Sequence, residues 1–94
     1  MKTARTHYYT EVPDLGNVAV SRHAQERMDE MKIPEGTFVN TLYNSKSFEE
    51  QPGILWREGF GIRIVILERP EPFRGAMLVK TVFRIQEQMK ARKR

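Results

Sequence analysis

His23, Arg27 and Glu30 follow one another at spacings of four and three residues. On a helix those spacings bring an imidazole, a guanidinium and a carboxylate to neighbouring surface positions. Histidine exchanges a proton near neutrality and arginine offers a fixed charge shaped for phosphate oxygens, so the grouping suits acid–base chemistry on a phosphate. It equally suits a solvated helix edge: His23 then pairs with Glu26 or the backbone, and Arg27 and Glu30 form a surface ion pair worth about 0.3–0.5 kcal/mol.

The elements that must hold these residues follow from the surrounding pattern. Ser21 is placed to cap a helix that ends near Lys32, and Ala24, Met28 and Met31 make a separate apolar stripe on it. Pro34 is expected as the first residue of a second helix, where Phe38, Val39 and Leu42 recur at helical spacing and Asn44 is the stop. Residues 1–17 show no period and read as an irregular arm. Val18 to Val20 is a short edge strand leading to the cap, and residues 45–53 are polar and read as a loop. Ile54 to Glu58 reads as a strand, Gly59 to Gly61 as a hairpin connection, and Gly61 to Leu67 as a central strand, apolar on both faces. After a turn over 69–75, residues 76–84 form a strand whose period puts Met77, Val79, Thr81 and Phe83 on one side and Leu78, Lys80, Val82 and Arg84 on the other. The expected architecture is α+β: two N-terminal helices packed on an antiparallel sheet of three to four strands, with a C-terminal basic helix or tail. Residues 18–84 form the domain, 1–17 the arm and 85–94 the tail.

Ninety-four residues allow one domain with a modest core. There is no cysteine, and the only histidines are His7 and His23 without an acidic cluster at ligand spacing, so neither a metal site nor any other cofactor is expected. No glycine-rich phosphate loop precedes a helix. No apolar run approaches the roughly 18 residues of a membrane helix and no signal-peptide core is present, so the expectation is a cytoplasmic protein with no membrane partner. The net charge of +4 is uneven: residues 1–83 hold eleven Lys and Arg against eleven Asp and Glu, while Arg84, Lys90, Arg92, Lys93 and Arg94 face only Glu87. A compact basic end is an electrostatic handle for a phosphate backbone, or else a solvated tail.

Ser21-x-His23-Ala24-x-x-Arg27-Met28, followed by Ile33 at the opening of a second helix, resembles the N-terminal motif of an uncharacterised family of small domains similar to the RelE and barnase-like ribonuclease superfamily, which includes EndoU and colicin nuclease domains. A Gly-flanked hairpin, a central strand with Gly61-Ile62-Arg63 and a last strand with Lys80-Thr81-Val82 agree in order, over roughly residues 18–84. The pattern usually carries an arginine and a glycine before the isoleucine, where this chain has Met31 and Lys32.

The resemblance implies a small RNA-binding domain like the toxin-like, metal-independent endoribonucleases. That chemistry needs a base for the ribose 2′-OH, an acid for the leaving oxygen and cations for the phosphorane-like transition state. His23 would be base or acid and Glu30 its orienter or an alternative base. Arg27, Arg63 and Arg84 would be the cations, Thr81 a phosphate ligand, and Lys80 with Lys90, Arg92, Lys93 and Arg94 the wider nucleic-acid contacts. The alternative is a non-catalytic accessory or inhibitor protein on the same scaffold. The partner is then nucleic acid, RNA favoured, or a protein such as an antitoxin or host factor. Arg63 is a bystander if its stem snorkels to water, and Trp56 and Phe60 serve either to stack on bases or to pack as core or hairpin-covering groups. The enzyme reading requires His23 and Arg63 to face one hollow.

Overall fold

The computed structural model describes residues 8–68 and 75–85. Its elements run β1 (Tyr8–Val12), β2 (Gly16–Val20), α1 (Arg22–Glu30), α2 (Glu35–Asn44), β3 (Ser47–Gln51), β4 (Ile54–Gly59), β5 (Ile62–Leu67) and β6 (Met77–Arg84). The strands form one six-stranded sheet in the order β1-β2-β6-β5-β4-β3, with β2 and β6 parallel and every other pair antiparallel. This overturns the expected antiparallel sheet of three to four strands: the sheet is mixed, it is larger, and two of its strands precede the helices.

The missed strands have physical reasons. β1 and β3 are the two edges, and their residues are mostly exposed, so neither shows the apolar alternation that betrays a strand. β1 is further interrupted by a register shift after Tyr9, where Glu11 takes a positive φ of 53°. The polar stretch read as a loop over 45–53 is β3 and its turn. Pro52 and Gly53 (φ +89°) do punctuate the chain, but they reverse it from β3 into β4. The basic helix or tail expected for 85–94 lies, after Ile85, outside the described residues.

Both helices lie on one face. Ile62, Ile64 and Ile66 of β5, Val79 and Val82 of β6 and Val18 of β2 are fully buried beneath Ala24, Phe38 and Leu42. Each such aliphatic side chain contributes about 1.5–3 kcal/mol through burial. Val79 and Val82 are three apart yet share this face, because β6 carries a bulge. Val65 pairs with Thr81 and Ile66 with Val79, which leaves Lys80 as the extra residue. The bulge corrects the strict alternation expected for 76–84: Val82 and Arg84 join Met77 and Val79 on the helix side, and Thr81 and Phe83 join Leu78 on the other.

Ser21 fastens α1 to this bulge. Its Oγ accepts from Ala24 N (3.0 Å) and donates to Lys80 O (3.3 Å), while its N–H donates to Val79 O (3.1 Å). At the far end, Ile33 N–H donates to Met28 O and Lys32 N–H to Asp29 O, a Schellman motif with Lys32 left-handed at φ +54°. Glycine normally occupies that place, and it is the position where the resembled pattern has glycine. Pro34 is the N-cap of α2 rather than its first helical residue.

Candidate nucleic-acid interface

The sheet register fixes which side chains share the face away from the helices. One row crosses all six strands as Gln51, Ile54, Leu67, Leu78, Ala19 and Tyr8; a second runs Phe48, Trp56, Val65, Thr81; a third runs Glu58, Arg63, Phe83. Apolar groups on this side are half-buried rather than buried, and Phe48 and Tyr8 at its edges are about half exposed (51% and 50%). Neither helix covers it.

Arg63 is the organising side chain. Its Cζ lies 3.8 Å from the centroid of the Trp56 ring and 5.7 Å from that of Phe83, and its Nε and Nη2 both donate to Glu58 Oε2. The short β4–β5 turn sets this up: Phe60 and Gly61 reverse the chain between the paired residues Gly59 and Ile62, which places Glu58 opposite Arg63. Both turn residues have positive φ (50° and 85°), and Phe60 is the most exposed large hydrophobic side chain among the described residues, at 60%. An aromatic residue in the left-handed region costs about 1–2 kcal/mol, and here it is also turned toward water.

The predicted catalytic set is divided by the sheet. His23 stands exposed in the first turn of α1, on the helix side, with no hydrogen-bond partner among the described residues. Arg27 and Glu30 form an ion pair with each other (3.2 Å), both well exposed, so Glu30 does not orient His23. Arg84 lies on the helix side too, where Nε and Nη2 donate to Met31 O (3.2 and 3.0 Å) and Nη2 to Lys32 O (3.0 Å). It caps the carbonyl end of α1, a favourable place for a cation. Arg63 and Thr81 face the opposite side, and Lys80 is exposed at the bulge. Lys90, Arg92, Lys93 and Arg94 lie outside the described residues. The hollow between α1, α2 and β1, lined by Tyr9, Gln25, Met28, Asp29, Ile33, Glu35 and Phe38, contains none of the predicted site residues.

Two important residues gave no clear sequence signal, and a third gave one that was legible. Phe48 sits on a polar edge strand without periodicity. Arg57, 1% exposed, points to the helix side and donates to Ser47 Oγ (2.9 Å), Leu42 O (2.9 Å), Ser45 O (2.8 Å) and Pro13 O. Burial lowers its pKa from the ordinary arginine value, against the opposing pull of Asp14. Glu58 could have been found, because a two-residue turn at 60–61 pairs 58 with 63 by counting alone. Among the described residues no group of three His, Asp or Glu is placed to hold a metal ion, and no helix is long and apolar enough to cross a membrane.

An arrangement of aromatic rings and a stacked guanidinium on a sheet face that neither described helix covers suits flat, π-bearing partners rather than proton transfer. Comparison with known protein families, with characterised proteins and with solved structures finds no match. The resemblance to RelE and barnase-like domains therefore stays an expectation from the sequence, carried by the motif at Ser21–Met28 with Ile33 and by the segments Gly61-Ile62-Arg63 and Lys80-Thr81-Val82.

Proposed function

We propose that the domain binds RNA on the open face of its sheet and does so without cleaving it. The observation that carries this reading is Arg63 seated on Trp56 beside Phe83, on a face that neither helix covers. Bases stack on aromatic rings and on guanidinium planes, and stacking contributes about 1–3 kcal/mol per base. Phe48 and Phe60 extend the aromatic surface at the edge and at the hairpin tip. The basic residues 90–94, which follow β6 in sequence, add a charge-driven contribution. The division of His23 from Arg63 by the sheet speaks against the acid–base constellation, so RNA is held and released intact.

Trp56 is the only tryptophan of the chain, and its fluorescence reports on this face directly. Titrating the full-length protein with a single-stranded oligonucleotide in EDTA should quench that fluorescence and leave the RNA uncut. Unquenched fluorescence at saturating RNA would reject the site. Cleavage that disappears in His23→Ala would restore the nuclease reading.

A further inference from the structure

From the Glu58–Arg63 geometry we infer that Glu58 is the selectivity residue of the open face: it cancels the charge of Arg63 and so makes the face read bases rather than phosphates. The inference rests on the RNA-binding reading above and says what kind of contact that site accepts.

A free arginine on a sheet is a phosphate clamp, offering several N–H donors in a planar fork. Arg63 is not free. Two of its nitrogens are committed to one carboxylate oxygen of Glu58, and its plane is set against Trp56. The side chains are only 20% and 28% exposed, so a phosphate has to displace Glu58 from a largely desolvated, charge-assisted pair before it can reach the guanidinium. The three rows hold no other charged residue than these two, and their charges cancel. What remains for a ligand is ring surface, the edge of the guanidinium plane and the exposed faces of Phe48 and Tyr8. Such a surface gains by stacking and releases few counterions. The salt dependence of binding then comes from cations elsewhere, such as Lys80 and the basic end.

The test separates charge from shape. Anisotropy of a labelled oligouridylate is followed at several salt concentrations with the full-length wild type, Glu58→Gln and Arg63→Gln. Glu58→Gln keeps the side-chain volume and frees one cation, so the plot of log K against log salt should steepen by about 0.7. Inorganic tripolyphosphate should then compete with RNA more strongly in Glu58→Gln than in the wild type, where it meets only the cations outside the open face. Arg63→Gln should weaken binding with the wild-type slope unchanged. A loss of packing alone would alter affinity without moving any slope. Equal slopes in wild type and Glu58→Gln, or a slope lowered by about 0.7 in Arg63→Gln, overturn the inference while leaving RNA binding in place. Absence of binding in all three proteins overturns the RNA reading and this inference with it. Should Glu58→Gln not fold, the slope of Arg63→Gln decides the question.

Discussion

Two arginines from adjacent strands, six residues apart, show how differently the two faces of this sheet are used. Arg57 points under the helices and Arg63 points away from them. Among the described residues Arg57 forms no ion pair: its donors go to one hydroxyl and to the carbonyls of Pro13, Leu42 and Ser45, so it ties the β1–β2 turn, the end of α2 and the start of β3 together. Arg63 meets a carboxylate and two rings and ties no backbone. The covered face uses its buried cation to satisfy main-chain acceptors, the Leu42 carbonyl in a buried bond and those of Ser45 and Pro13 in part-buried ones. The open face uses its cation to keep an aromatic surface flat and neutral. Under the proposed reading the kind of partner, rather than burial, separates the structural arginine from the binding one.

The largest effect expected from breaking this contrast is on stability. Arg57→Ala takes the donor from the buried Leu42 carbonyl and from the part-buried Ser45 and Pro13 carbonyls, and should cost about 3 kcal/mol, read as a lower urea midpoint. A change below 1 kcal/mol would show that water replaces the guanidinium. Arg63→Ala should do the reverse: it should weaken RNA binding tenfold or more, with the fold losing only about 1 kcal/mol. Equal damage to stability from both variants would erase the distinction between the faces.

Smaller gains sharpen it. Phe60→Asn relieves the left-handed turn and should raise stability by about 1 kcal/mol while weakening RNA binding, because the exposed ring is kept in place against its backbone preference. A variant that gains stability and binds unchanged would make Phe60 a bystander. Lys32→Gly relieves the same strain at the end of α1, also by about 1 kcal/mol, and should leave binding untouched, since α1 lies behind the sheet. The smallest effect belongs to the outer edge of α1. Arg27→Ala should change stability by less than about 0.5 kcal/mol and RNA affinity not at all. Tenfold weaker binding in that variant would place the ligand on the wrong side of the molecule.

Much of the fold's interior was legible because burial writes a period into the chain. Ala24 and Met28 marked the inner side of α1, Phe38 and Leu42 that of α2, and Ile62, Ile64 and Ile66 the most buried strand. The edges were not legible, since β1 and β3 hold strand geometry by pairing rather than by burying a face, and their residues are free to be polar. The parallel contact between β2 and β6 joins segments more than fifty residues apart, and no local pattern records it. The site was half legible. Arg63 stood out as a cation among isoleucines, and Trp56 and Phe60 as aromatics with two readings. That the grouping around His23 lies across the sheet from Arg63 was not legible, because helical spacing reports neighbours on one helix and says nothing about which side of a sheet that helix will cover. Arg84 misled for another reason: the bulge at Lys80 reverses the parity of everything after it.

The position of β6 has a consequence for how the chain is made. β6 is the last of the described strands to leave the ribosome, and it is the piece that joins the β1–β2 hairpin to the β3–β5 meander. Until it arrives, β2 and β5 each present an unpaired border, and the nascent protein is two fragments waiting for a keystone. Contacts so distant in sequence slow assembly and lengthen the time those borders are open to wrong pairing. Premature termination anywhere before residue 77 would therefore yield a product prone to clumping rather than a shorter working domain.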